Sequence, residues 1–409
     1  MEEKISDSEK IKVKPQNIDK VIFTQGNSSL LEDIDEKKID FIKERIKEFF
    51  NMKNINFLFG SGTSSGAIPN MGGLYIKVVE ELKKDENEKL KIKFESIQNK
   101  IEKQDDLENI LGILYSYRVY LKDKNKDPRN SICSKLIELI EKIVFDEINI
   151  LEVDLISSNE FKNYQRFYQK IALRNKDLSR INIFTTNNDL FNEYALDSIN
   201  IHYINGFSGG VNKYFNPALF NYNYSKRMDT SIEKFEPVEN MVYLYKIHGS
   251  VNWLEDSSNA NSFFNIKEVS NPQRKPGIEN VLIYPTPTKQ NKSLGSPYVE
   301  MFREFQKKLL EPHTVLFIMG YSFSDEHVNN IIYQALATNS TINVVIFGEL
   351  DSKITTINDN RIFNIYGKSN GDKIHYFDFI VNTLLPNIDA FKSHDNILNE
   401  FLKSIKKID

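Results

Sequence analysis

INFLFGSGTSSGAIPNMGGLY, residues 55–75, is the stretch that decides the fold. Its first five residues are almost wholly apolar and do not alternate, the pattern of a strand buried on both faces of a parallel sheet. Gly60, Gly62 and Gly66 follow at once, and a helix-compatible stretch comes after them. A glycine turn between a buried strand and a helix is where backbone N–H groups and a helix N-terminus can hold a pyrophosphate. Ser61, Thr63, Ser64 and Ser65 add hydroxyl donors, and no lysine follows, so this is not a Walker A loop. A plain glycine turn would look much the same. Its place after the first strand of an α/β sheet is what points to a nucleotide.

Similar apolar runs recur outward from this stretch: INIFTT (181–186), INIHYING (199–206), MVYLYKIHG (241–249), VLIYP (281–285), TVLFIMG (314–320), INVVIFG (342–348) and KIHYFDF (373–379). Amphipathic helical patterns lie between many of them, among them SDEHVNNIIYQALAT (324–338), with Ser324 as its expected cap. Strands alternating with helices predict an α/β fold, a Rossmann-like doubly wound, mainly parallel sheet. Between Tyr75 and Arg180 the pattern is helical instead. In DDLENILGILYSYR (105–118), Leu107, Ile110, Leu111 and Leu114 share a face and Asp106 is placed to cap. A large helical insertion at about 75–180 is therefore expected within a domain spanning 51–409. Residues 1–50 are expected to form an N-terminal helical arm, with a helix in DEKKIDFIKERIKEFF (35–50).

Composition narrows the class. The 409 residues are 40% hydrophobic and 27% charged, as in globular proteins. No apolar run approaches the roughly 18 residues of a membrane span, and the start lacks a signal-peptide core, so a cytoplasmic location without membrane association is expected. One cysteine, Cys133, leaves no intramolecular disulfide and no cysteine-cluster zinc site, so no metal is expected. With 53 basic against 57 acidic residues the net charge is −4, which gives no global pull towards nucleic acid.

NIFTTNNDLF (182–191) carries an apolar strand straight into Thr185, Thr186, Asn187, Asn188 and Asp189. At the carboxyl end of a parallel strand these side chains would line the ligand crevice. An Asx turn capping the next helix would account for one of the five. YKIHGSVNW (245–253) ends another apolar strand in His248, the side chain type best suited to proton transfer near neutral pH. A satisfied core histidine is the competing reading there. His202 and His375 sit within strand patterns and are expected in the core. His327 lies beside the strand-end loop that contains Asp325.

GSGTSSGAIP, TTNND, KIHGS and GYSFSDEH, in this order, resemble the sirtuin family of NAD-consuming enzymes. The closer likeness is to the bacterial sirtuin-like proteins of anti-phage defence. The resemblance implies that Gly60, Ser61, Gly62, Thr63 and Ser64 form the phosphate loop. It puts Asn187 and Asp189 beside the nicotinamide ribose with Thr186, and makes His248 the catalytic base. Gly320, Tyr321, Ser322 and Asp325 fall to the later nucleotide loop. The four-cysteine zinc module of the deacylases is missing, and Pro69 is followed by Asn70, Met71 and Gly72 rather than Asp-Phe-Arg.

The implied activity is hydrolysis of NAD, as substrate, to nicotinamide and ADP-ribose, serving defence by NAD+ depletion. Breaking the nicotinamide–ribose bond passes through a cationic, oxocarbenium-like state, which suits neutral groups that hold the ribose and one water. The chain is similar to the stand-alone sirtuin-like subunit paired with a HerA-type hexameric ATPase, which implies a homo-oligomer that meets nucleic acid only through such a partner. Two alternatives stay open: an NAD-dependent protein deacylase, and a DNA-cleaving or sensing effector regulated by NAD.

Overall fold

The computed structural model describes residues 20–31, 37–123, 131–171, 178–228, 234–256, 264–274, 280–282 and 297–386. The first of the described elements are strands β1 (Val21–Gln25) and β2 (Ser28–Ser29), helix α1 (Lys38–Phe49) and the buried strand β3 (Asn54–Phe59). Helices α2 (Met71–Leu82), α3 (Glu88–Gln98), α4 (Leu107–Asp123), α5 (Ile132–Ile148), α6 (Glu152–Ser157) and α7 (Asn159–Ile171) precede β4 (Ile181–Thr185). Then come α8 (Phe191–Ser198), β5 (His202–Ile204), β6 (Phe207–Ser208), β7 (Lys213–Phe215), β8 (Ser225–Arg227), β9 (Phe235–Pro237), β10 (Met241–Lys246), β11 (Gly249–Glu255), β12 (Ile266–Glu268) and β13 (Asn280–Leu282). Helix α9 (Tyr298–Leu309), β14 (Thr314–Met319), α10 (Glu326–Thr338), β15 (Asn343–Phe347), the short helix α11 (Lys353–Thr356), β16 (Ile362–Ser369), β17 (Asp372–Lys373) and the short helix α12 (Phe377–Phe379) follow.

The main sheet has the order β2-β1-β16-β15-β14-β3-β4-β10-β5. Every pair from β16 to β5 is parallel, and β1 closes one edge antiparallel to β16. From β3 the chain builds outward to β4, β5 and β10 on one side. It then returns to lay β14, β15 and β16 on the other side. The order therefore reverses between β3 and β14, and in such sheets ligands bind in the crevice beyond the carboxyl ends at that point.

Both faces are covered. Phe57, Phe59, Ile183 and Phe317 pack with α1, α7 and α8 on one face, while Leu58, Phe184, Leu316 and Ile318 pack with α9 and α10 on the other. This is the doubly wound α/β architecture expected from the unalternated strands. Helices α2 to α5 form their own core around Leu74, Val78, Leu111, Ile137 and Ile140, and Cys133 is buried in it. All described elements between β3 and β4 are helical. Asp106 caps α4, its Oδ1 accepting from Asn109 N at 3.0 Å. Helix α7 differs from its neighbours in sequence: Tyr164, Phe167 and Tyr168 pack on the sheet itself.

Several expectations are corrected. Residues 21–29 are strands joined to the main sheet, so the segment before residue 51 is more than a helical arm. β11, β12, β13, β7 and β6 form a second, antiparallel sheet around Trp253, whose ring meets Phe207 at a tilt, 4.9 Å between ring centres. KIHYFDF supplies only Lys373 to a strand, as the second residue of β17, because Ile374, Phe377, Ile380, Val381 and Leu384 bury at helical rather than alternate spacing. His202 is exposed on the edge strand instead of lying in the core, and His375 is half-buried in a turn. The HDNILNEFLKSIKK helix (394–407) lies outside the described residues. Among those described, no helix is long and apolar enough to cross a membrane.

Candidate active site

The loops after β3 and β14 cross at the switch point, and the crossing explains the glycines. Gly60 N donates to Met319 O at 3.0 Å and Gly62 N to Gly320 O at 2.9 Å. A Cβ on Gly60 would stand 2.5 Å from Gly320 O, and one on Gly62 2.6 Å from Gly320 Cα. Gly320 itself has φ +65°, a left-handed conformation. The amides of Thr63 and Ser64 also bond inward, to Gly60 O and Ser61 O. These four N–H groups are thus engaged within the protein. Ser61, Ser64 and the start of α2, capped by Asn70 accepting from Gly73 N at 3.0 Å, line the crevice.

The polar turn after β4 is locked into that loop. Asn187 Nδ2 donates to Thr63 Oγ1 at 3.1 Å and Ser64 Oγ at 3.2 Å. Ser64 Oγ donates to Asp189 Oδ2 at 2.8 Å, and Phe191 N donates to Asp189 Oδ1 at 3.1 Å. The Tyr164 hydroxyl lies 2.7 Å from Thr63 Oγ1 and 3.1 Å from Ser64 Oγ, closing the cluster from α7. With its amide hydrogens turned inward, Asn187 retains acceptor capacity on Oδ1. Asp189 does form the Asx turn ahead of α8, but its second oxygen belongs to the cluster.

His248 stands at the end of β10, just before Gly249, whose φ of +80° turns the chain into β11. Its Nε2 lies 3.0 Å from Asp325 Oδ2, an ion-pair distance without hydrogen-bond alignment. Asp325, rather than Ser324, caps α10: its Oδ1 accepts from His327 N at 2.9 Å and Val328 N at 3.2 Å. The helix start therefore fixes the carboxylate that faces the imidazole. His327 packs edge-on against Phe302, 4.2 Å between ring centres.

A cavity of about 190 Å³ is lined by Ser61, Ser64, Thr186, Asn187, Asp189 and His248, together with Gly320, Tyr321, Ser322 and Asp325. Met71 and Leu74 of α2, Glu108 of α4, and Val144 and Ile148 of α5 form its opposite wall, so the helical insertion roofs the crevice. Gly62 and Thr63 line a neighbouring cavity of about 490 Å³ that shares Gly320, Tyr321 and Ser322. Gly60 lies beneath both, packed on Gly320. The second cavity also uses Phe347, Gly348, Glu349 and Leu350 at the end of β15, which sequence reading missed. Their signal was position alone, at the carboxyl end of a parallel strand beside the switch point. Among the described residues, no group of three or more His, Cys, Asp or Glu side chains is placed to hold a metal.

Burial pushes the Asp189 carboxyl above the usual range, partly offset by the Lys246 charge and by bonds from Ser64 and Phe191. A raised folded value means that folding takes up a proton there; this contribution is present in acid and lost as pH climbs through the raised value. Asp189→Asn removes that loss. Its melting temperature relative to wild type is expected to rise from the ordinary aspartate range towards neutral pH. A melting series in matched buffers checks this, and a difference that is flat or falls with pH would rule it out.

The fold is thus that of a Rossmann-like α/β protein with its crevice at a topological switch point. Within that class, residues 181–369 match the family model described as SIR2-like domain. The matched span runs from β4 to β16, so it contains Asn187, Asp189, His248 and the 320–325 loop, while the Gly60 loop lies ahead of it. Among solved structures, a Sir2 homologue mutant in complex with ADP-ribose is 12% identical at a TM-score of 0.42, with 84% of this chain and 94% of that chain covered. A mutant of Sir2 homologues with 2′-O-acetyl ADP-ribose is 13% identical at 0.41, with the same coverage of 84% and 94%. A structure described as the structural basis for the mechanism and regulation of Sir2 enzymes is 11% identical at 0.41, covering 87% of this chain and 99% of that one. No curated protein sequence matches significantly.

Proposed function

We propose that the chain hydrolyses NAD+ to nicotinamide and ADP-ribose. The observation that carries this reading is the grouping of buried Asn187, Asp189 and His248 in one cavity at the switch point. The nicotinamide ribose would lie there, and the adenosine half in the cavity beyond Gly320–Ser322, where Glu349 can accept from ribose hydroxyls. The C1′–N bond breaks with its electron pair leaving on nicotinamide. A water oxygen adds to C1′, and its proton passes to His248 and then to solvent. Asn187 Oδ1 accepts from the water or a ribose hydroxyl and orients it. The ionised Asp189 offsets the positive charge that builds on the ribose. Asp325 stabilises the imidazolium formed when His248 takes the proton.

Purified chain incubated with NAD+ tests the reading: equal amounts of nicotinamide and ADP-ribose are expected without any acyl-lysine peptide. Release that requires such a peptide would favour a deacylase. Asp325→Asn separates two roles, since asparagine still caps a helix but carries no charge beside His248. It is expected to melt near wild type and to lose on the order of tenfold or more in turnover. Asp325→Ala should in addition lose about 0.5–2 kcal/mol of stability with the cap. Equal turnover in Asp325→Asn and wild type would remove Asp325 from the mechanism.

Control by homo-oligomeric assembly belongs to the same proposal. It is supported by Ile113, Tyr117 and Tyr120, which leave one face of α4 40%, 42% and 54% exposed. The HerA-type ATPase partner and the role in anti-phage defence rest on the sequence resemblance alone. Light scattering at working concentration tests the assembly, with a monomer as the contrary result.

A further inference from the structure

The loops carrying Asn187 and His248 leave adjacent strands, and sheet hydrogen bonds stop holding them together near Thr185 and Ile247. Side chains take over there. Asn188 Nδ2 donates to His248 O at 2.8 Å and to Gly249 O at 3.1 Å, while Val251 N donates back to Asn188 O at 3.0 Å. Beneath them lies Lys246, fully buried. Its Nζ donates to Asp189 O, to Glu193 Oε1 at 2.8 Å and to Ser250 Oγ at 2.7 Å. One ammonium thus ties the first loop, the helix after it and the second loop.

We propose that Asn188 and Lys246 are positioning residues: with Ser250 they form a brace that fixes His248 relative to Asn187 and Asp189. The proposal rests on the hydrolase reading for its kinetic consequence, but not for its geometry. An apolar side chain of similar length would fill the Lys246 site without the desolvation cost of a buried charge, so packing alone does not call for a lysine. Three oxygen acceptors on three separate segments do. Asn188 is only half-buried, yet both its amide hydrogens and its carbonyl oxygen are committed to the neighbouring loop. Leu190 and Val251, next to the two loops, pack together into the core of the helical insertion, which backs the brace from outside.

The test uses full-length Asn188→Ala, with Lys246→Met as the harsher variant. Misplacement of a catalytic group by about 1 Å costs on the order of a hundredfold, so kcat of Asn188→Ala should fall by about that factor. KM for NAD+ and affinity for ADP-ribose should stay within about threefold, because the groups that touch substrate remain. Calorimetric ADP-ribose stoichiometry near that of wild type shows that the loss is not a misfolded fraction. Protein carrying ¹³C-labelled histidine supplies a readout independent of turnover, with the His248 resonance assigned through His248→Gln. That resonance should shift or broaden in Asn188→Ala while those of the other histidines hold. Turnover within about threefold of wild type would overturn the proposal, whatever Lys246→Met does. If the wild type itself releases no nicotinamide, the hydrolase reading falls, and an unmoved His248 resonance would overturn the brace separately.

Discussion

His248→Ala is expected to lower nicotinamide release by about 10²–10⁴-fold, the usual loss for a positioned general base. The residue is buried at 8% exposure and lines the cavity, so truncation also removes some packing, and a melting curve separates that loss from the loss of the base. Asn187→Ala should lose a similar factor through misplacement of the water or ribose. It should also cost about 1 kcal/mol of stability, because its amide joins the Thr63 and Ser64 hydroxyls. The double variant should be little worse than either single one, since both residues serve one reacting centre. Nicotinamide release for the three variants, with melting as the folding control, decides the roles. If His248→Ala retains wild-type turnover while Asn187→Ala loses it, the base is misassigned and His327 is the next candidate.

The largest effect on stability is expected at Gly320. A Cβ there would stand 2.5 Å from Thr63 N and 2.7 Å from Gly62 C, both backbone atoms that cannot swing aside. Left-handed backbone costs an alanine about 1–2 kcal/mol, and overpacking adds about 1–3 kcal/mol. Gly320→Ala should therefore destabilise the protein by about 2–5 kcal/mol and separate the two loops that line both cavities. Gly348→Ala is the contrast: its Cβ would meet only the flexible Leu350 side chain at 3.0–3.4 Å, and φ there does not lie in the left-handed region. Denaturant unfolding of both variants checks the difference. A Gly320→Ala protein as stable as wild type would show that the loops are not in close contact.

The doubly wound sheet was legible because unalternated runs such as INFLF and TVLFIM can be buried on two faces only in a parallel sheet. The polar turn after β4 was legible because five hydrogen-bonding side chains exceed what a cap requires. β11 was not, because GSVNWLE mixes Ser250, Asn252 and Trp253, and its burial comes from a second sheet that forms only in three dimensions. β16 was equally hidden, since IFNIYGKS is buried mainly through its partners β1 and β15. The Asp325–His248 pair joins residues far apart in sequence, and no local pattern announces it. The close contact between two loops that Gly60, Gly62 and Gly320 permit is a long-range fact invisible in the stretch itself. Lys246 gave no signal either, because a lone lysine ending a strand reads as a surface residue until its burial is seen.

The central claim is that this crevice breaks the nicotinamide–ribose bond with water as the acceptor. Chromatography of NAD+ incubated with wild type and with Asn187→Ala, without any acylated peptide, tests it most directly. Equimolar nicotinamide and ADP-ribose from the wild type, with both lost in Asn187→Ala, is the expected result. Equal product from the two proteins, or nicotinamide that appears only when an acyl-lysine peptide is added, would contradict it.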